Sequence, residues 1–364
     1  MHRRGDVPSG EEALDGPRPP AGPHRPLPGT PRQAAGAARR TTTIDTIRPD
    51  GPRGAATVVE LRGRDRRLDP EGAVAAEHAV GLRFRLDPAT GEITAVEGPS
   101  DDVAGLDGLV GASVRAGFGR AVAGVLGDEL AARTLRASML EDLSGAVLVS
   151  GYAPLRAGAI RVSAGGGASM ADHQGDICVG WAAGGEMHSV LAEHDHVAVP
   201  LGPAAPDLAA AGVWHPDPPL AEGTVRRRRR LDVAAAGDGS ADRLTESHLR
   251  DTYRSTDGDE VEEMVLHEYV VRSIVGGDGR LVAVDVDPRT LPWRECTGGA
   301  SSAQALVGVP LDEVARRART ALIGPTTCTH LTSTLRALAD VAALVEHAPA
   351  PGAGLEGSGG QTTP

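Results

Sequence analysis

The feature that most constrains this 364-residue chain is a match of the sequence to itself. Arg39-Arg40-Thr41-Thr42-Thr43-Ile44-Asp45 aligns with Arg226-Arg227-Arg228-Arg229-Arg230-Leu231-Asp232 at an offset of 187. Leu61-Arg62-Gly63-Arg64-Asp65 faces Leu249-Arg250-Asp251 at nearly the same offset, and Gly91 to Val96 matches Gly279 to Val284 at 188. Leu109-Val110-Gly111 and Leu126-Gly127 match Leu306-Val307-Gly308 and Ile323-Gly324, both at 197. Each match is short, but their shared order and slowly drifting offset indicate a tandem duplication. The copies span 39–150 and 226–346, joined by a connector at 151–225.

Local patterning agrees between the copies. Leu82, Phe84 and Leu86 alternate with Arg83 and Arg85, the period of a half-buried strand, and Asp87-Pro88-Ala89-Thr90-Gly91 turns the chain into Ile93 to Val96. The second copy repeats the hairpin with Tyr269 to Val275, the turn Gly276-Gly277-Asp278-Gly279, and Leu281 to Val286. A helix follows Pro310, with Asp312 and Glu313 in its first turn and Leu311, Val314, Ala315, Ala318, Leu322 and Ile323 on one face, until Gly324-Pro325 stops it. A last helix places Leu331, Leu335, Leu338, Ala342 and Val345 at helical spacing. The expected fold is α+β: in each copy an antiparallel sheet followed by helices packed on one face, the two copies forming a pseudo-dimer.

Composition limits the rest. Aromatics make up only 2% of the chain, so the cores must be built from Val, Leu, Ile and Ala. Residues 1–38, rich in Pro, Gly and Arg, and the Gly-rich tail 347–364 cannot bury enough apolar surface to offset ordering entropy, and both are expected to be disordered. Gly165-Gly166-Gly167-Ala168 reads as flexible linker rather than a phosphate loop. The net charge of -12 argues against nucleic acid or an anionic membrane as partner. No apolar run reaches the ~18 residues of a spanning helix, and the early arginines lack the apolar stretch of a secretory signal. Three cysteines, Cys178, Cys296 and Cys328, are too few and odd in number for a disulfide framework, so a reduced, cytoplasmic protein is expected. Helix-turn-helix, P-loop, dinucleotide and Gly-x-Ser-x-Gly patterns are all missing. The run Arg226 to Arg230, aligned with the strand-forming Thr41 to Thr43, is expected to begin an exposed strand.

His267-Glu268, Leu291-Pro292-Trp293-Arg294-Glu295-Cys296, Leu306-Val307-Gly308 and Cys328-Thr329-His330-Leu331 together resemble a bacterial family known as domain of unknown function 2889. With Cys178-Val179-Gly180-Trp181 in the connector, the chain looks like the longer actinobacterial form of that family. The resemblance implies a domain and no activity.

The sharpest chemical candidate is Cys328 with His330 at the start of the last helix. Unpaired N–H groups and the positive dipole end are expected to lower the pKa of a thiol there, making Cys328 a nucleophile or metal ligand. His267 and Cys296 could complete a Cys2His2 set that suits zinc, although no short Cys-x-x-Cys knuckle is present. The competing reading is that Cys328 and His330 cap the helix while Cys296 is a small buried hydrophobe. The first copy acts as a control: with Leu135 opposite Leu331, Cys328 falls on Ala132 and His330 on Thr134, so any site belongs to the second copy. Asp251, matched by Asp65, is expected to pair with Arg or close a turn, or else to orient a histidine. Glu268, on the opposite sheet face from His267, is expected to be a solvated edge charge. His188, His194 and His196, with Asp176, Cys178 and Asp195 nearby, read as a polar loop or as a metal-binding segment in which an extended His194-x-His196 puts both rings on one face, and Trp181, Trp214 and Trp293 are expected to pin proline-rich loops onto the body. Two functions follow: a small-molecule enzyme, hydrolytic in type, using a Cys/His thiolate or metal site, or a non-catalytic assembly or regulatory module that binds a protein partner.

Overall fold

The computed structural model describes residues 16–346 apart from 52–53, 55, 116, 159–174, 195, 209–212, 238 and 256–261. Residues 1–15, the expected tail 347–364, the Gly165 to Ala168 run and Asp195 therefore lie outside the described residues. Eight strands make one antiparallel sheet: β1 (Ala38–Ile47), β2 (Thr57–Leu68), β3 (Val74–Leu86), β4 (Ile93–Glu97), β5 (Val225–Ala235), β6 (Arg243–Arg254), β7 (Glu263–Val275) and β8 (Leu281–Thr290). Their order is β4-β3-β2-β1-β5-β6-β7-β8. Two four-stranded meanders thus meet through their first strands, and both expected hairpins are present, closed by Leu86 opposite Ile93 and Val275 opposite Leu281.

Helices cover one face. Gly63 on β2 faces Met139 and Leu135 so closely that a Cβ there would lie 2.7 Å from the Met139 sulfur. The helices used below are α1 (Phe118–Val125), α2 (Leu135–Val149), α3 (Glu186–His194), α4 (Leu311–Ala321), α5 (Thr329–Arg336) and α6 (Val341–Glu346). One core joins Ile44, Leu61 and Phe84 to Phe118 and Leu140, and a second joins Leu231, Val271 and Leu281 to Val314, Leu331 and Leu335. The last helix is not continuous as its spacing suggests. A 3-10 segment, Ala337–Asp340, separates α5 from α6, and Asp340 reaches Ser138 of α2 at 2.8 Å.

The other face is covered too, which the sequence reading did not anticipate. The connector seats Trp214 and His215 over β1, with Trp214 Nε1 donating to Thr43 Oγ1 at 3.3 Å and His215 Nδ1 2.9 Å from Thr41 Oγ1. The proline-rich segment expected to be disordered is ordered from Gly16 onward. It bridges to the second half-sheet at Ala21–Trp293 and His24–Thr290, and Leu27 N–H donates to Glu268 at 2.9 Å. Backbone hydrogen bonds and two polar anchors hold this segment, so a low apolar content did not prevent its ordering.

Covering both faces buries the arginine run. Arg226, Arg227, Arg228 and Arg230 are buried rather than on an exposed strand, because carboxylates from other strands and segments neutralise them. Arg226 forks onto Asp45 at 2.6 and 2.7 Å, Arg227 onto Asp251 at 2.7 and 3.0 Å, and Arg228 meets Asp217 at 3.0 Å. Arg229 is held by Ser333, and Arg230 by Asp232 and Glu246. Glu268 is likewise fully buried, bonding His248 and Arg250 rather than water.

Removing one partner of a buried ion pair strands the other charge, at a cost of about 3–5 kcal/mol. Asp45→Asn is therefore expected to lower stability in urea unfolding by about that amount, whereas Glu97→Gln, in an exposed pair with Arg85, should change it far less. A second expectation concerns acid. Burial holds the His248 pKa down at about 4 against an ordinary value of 6.5, so in that interval the unfolded chain takes up a proton that the folded chain refuses. Stability should fall as the pH drops from 6.5 to about 4, and in His248→Gln the fall should be smaller by roughly 3 kcal/mol.

Candidate metal centre

On the helix-facing side of β5, β6 and β7 one ladder row holds Arg227, Asp251 and His267, with Arg227 opposite Asp251 and Asp251 opposite His267. A bulge follows at once, between Asp251 and Thr252, and shifts the register beyond this row. The fourth member comes from above. Cys328 takes the N-cap position of α5, without a side-chain cap bond, and His330 sits in the first turn. Gly299 makes this approach possible, since a Cβ there would lie 2.9 Å from the Cys328 nitrogen.

His267 Nδ1 and His330 Nε2 each lie 3.5 Å from Asp251 Oδ2, and the two imidazoles stack with centroids 3.6 Å apart at 15°. Among the described residues these three form the one group of His, Cys, Asp or Glu whose ligand atoms all lie within 4.8 Å of one another. A separation of 3.5 Å is long for a hydrogen bond. It fits two ligands of one ion, because atoms about 2.1 Å from a tetrahedral centre lie about 3.4 Å apart. His267 Nδ1 is buried and has no hydrogen-bond partner among the described residues. The carboxylate of Asp251 is completely buried and both its oxygens accept from Arg227, yet each oxygen has a second lone pair for another partner.

Electrostatics keep Asp251 and His330 in ligand form. Burial alone would raise the Asp251 carboxyl, but Arg227 overrides it and holds the group well below the usual carboxylate range. Burial, reinforced by His267, holds His330 well below its ordinary value, so its ring is neutral. Arg227 is itself balanced on its far side by Asp142 of α2 at 3.1 Å.

The cysteines behave otherwise. Burial pushes the Cys328 thiol up, and the nearby Tyr269 hydroxyl and the N–H groups of Leu331 and His330 do not offset it, so the helix terminus does not acidify it as expected. Its sulfur does lie 3.7 Å from His330 Nδ1, on the opposite edge of the ring from Asp251. Cys296 is buried in the second core against the connector, where a Cβ on Gly180 would lie 2.7 Å from its sulfur. Burial raises its thiol as well, and lifts Cys178 to about 11. The Cys2His2 set is thus not assembled: His267 and His330 come together, Cys328 borders them, Cys296 stands outside, and Asp251 takes the third place. Strand register, which is absent from sequence spacing, is what brings Asp251 to His267.

His194 ends α3 and His196 follows it, packed on Gly16, so the two do not share an extended segment. No ligand group among the described residues includes either of them or His188. In the first half-sheet the equivalent row is Arg40, Asp65 and His78, with Arg40 forked onto Asp65 at 2.7 Å through both contacts. There Thr134 caps α2 where the second half-sheet presents Cys328 and His330, so no second imidazole is supplied.

No helix among the described residues is long and apolar enough to cross a membrane. Neither the curated proteins nor the solved structures contain a match to this chain. Residues 225–344, from the first residue of β5 into α6, match one family model, and over this segment the chain resembles the family described as "Protein of unknown function (DUF2889)".

Proposed function

We propose that Asp251, His267 and His330 bind a divalent cation of the zinc class and that the protein is a small-molecule hydrolase. The observation that carries this reading is the convergence of three ligand atoms, two of them 3.5 Å from a shared carboxylate oxygen, with His267 Nδ1 otherwise unsatisfied. Imidazole and carboxylate donors suit zinc, and three protein ligands leave a position for water or substrate, as catalytic rather than structural sites do. A bound ion there would acidify water and polarise an acyl or phosphoryl oxygen. In the hydrolysis, the water oxygen bonds to the acyl carbon or phosphorus while its proton leaves with the departing group. The chain's own residues hold the site: Arg227 keeps Asp251 ionised and oriented, and Cys328 contacts the edge of His330 that faces away from the ligands.

The two half-sheets also support descent from one duplicated unit that folds back on itself as a pseudo-dimer. The β1–β5 contacts are symmetric about the pair Thr42–Arg229, so that Arg39 reaches Asp232 as Arg226 reaches Asp45. A degenerate site in the first unit and a complete one in the second accords with that history.

The Cys328–His330 contact favours a second reading, in which His330 takes the thiol proton and Asp251 orients the ring. Rapid alkylation of Cys328 near neutral pH, lost in His330→Ala, would support it, and an unreactive thiol removes it.

For the metal reading, protein purified without chelator should carry about one zinc-class ion per chain by elemental analysis. His267→Ala and His330→Ala should lose it with their circular dichroism unchanged, and Cys296→Ser should keep it. Protein that is metal-free, and whose melting temperature does not rise with added zinc chloride, contradicts the assignment.

A further inference from the structure

The first half-sheet holds a feature independent of that centre. A cavity of about 300 Å³ opens on its helix-facing side, at the lower end of the range for small-molecule pockets. Its apolar lining comes from Ala38 on β1, Ala76 on β3, Leu135 on α2, and Ala343 and Leu344 on α6. Its polar lining includes Arg40, Asp65, Arg66, Arg67, Glu77, His78 and Arg133, and of the two carboxylates Asp65 is forked by Arg40 while Glu77 lies 3.7 Å from Arg64.

The cavity has an identifiable structural cause. One ladder row runs Ala38–Arg67–Ala76 across β1, β2 and β3, and its counterpart across β5, β6 and β7 is Val225–Tyr253–Met264. In the second half-sheet those larger side chains form a filled apolar cluster with Tyr152, whose ring meets Tyr253 at 5.0 Å between centroids. In the first, two alanines replace the valine and the methionine, and an arginine replaces the tyrosine. Space is left, and a cation is placed in it.

The charges in this space are not equally committed. Arg40 is held by Asp65 and Asp340, and Arg133 by Glu141 and Asp340. Arg67 makes no side-chain hydrogen bond or ion pair among the described residues, although it is only partly exposed. A half-buried guanidinium over an apolar floor is a receptor for an anion with an apolar body. At the ~30 Å³ that water takes in the liquid, the volume suits about ten non-hydrogen atoms.

We infer that this cavity binds a small amphipathic carboxylate, with Arg67 receiving the carboxylate and the row of alanines accommodating the apolar end. The site uses neither Asp251 nor the histidines beside it, so it stands whether or not the second half-sheet holds a metal.

The test is calorimetric titration of the full chain with benzoate, and with benzamide as its neutral counterpart. Saturable binding of benzoate is expected, with benzamide at least about tenfold weaker, since a charge-assisted hydrogen bond contributes on that scale. Arg67→Gln should weaken benzoate about tenfold, and Ala76→Phe, which fills the row as Met264 does opposite, should abolish it. No saturable binding up to about 10 mM, equal binding of benzamide, or benzoate binding unchanged in Arg67→Gln overturns the inference. If Ala76→Phe proves unfolded, the benzamide comparison and Arg67→Gln decide the matter.

Discussion

Buried guanidinium–carboxylate forks across the middle of the sheet are the interaction on which the rest of the molecule depends. β1 and β5 meet at the centre of an eight-stranded sheet covered on both faces, and both strands carry arginines there. Each buried guanidinium needs a carboxylate at hydrogen-bond distance, because an uncompensated charge inside a protein is strongly unfavourable. Arg39 finds Asp232 on the neighbouring strand and Arg226 finds Asp45, so these two pairs lock the register of β1 against β5. In most sheets a hydrophobic alternation selects the register. Here opposite charges select it, in strands that offer little apolar contrast between faces.

The same logic ties helices to strands across the centre line. Asp142 belongs to α2, which follows the first half-sheet, yet it meets Arg227 in the second. Asp340, between α5 and α6, meets Arg40 in the first. Each half therefore supplies the carboxylate that completes the other half's fork. The candidate metal centre is a by-product of this scaffold: the fork that holds Arg227 also fixes Asp251, and the next strand brings His267 beside it. In the first half-sheet the fork persists without a second imidazole, and a cavity lies one row away. One architecture thus carries two different local arrangements of side chains.

Much of the fold was legible because local patterns survived. The alternation around Phe84, the turns at Asp87 to Gly91 and Gly276 to Gly279, and the apolar face of α4 each depend on neighbours in sequence. The arginine run misled for a physical reason: a charged strand is normally solvated, and only carboxylates on other strands, such as Asp45 and Asp251, reveal that it is buried. The proline-rich stretch from Gly16 misled similarly, since its anchors are Glu268 and Arg250, far along the chain. At the site, His267 and His330 stood out by residue type, but Asp251 looked structural because it is matched in both copies. It is structural, through Arg227, and it also faces two histidines. The cysteines drew attention by rarity, which says nothing of proximity, and Cys296 proved to be core.

The central claim is that three oxygen and nitrogen donors, and no sulfur, define the metal site. Zinc K-edge absorption on the zinc-loaded full chain tests it most directly. The account predicts a first shell of nitrogen and oxygen alone at about 2.0–2.2 Å. A sulfur scatterer at about 2.3 Å, or a spectrum indistinguishable from zinc in buffer, would contradict it.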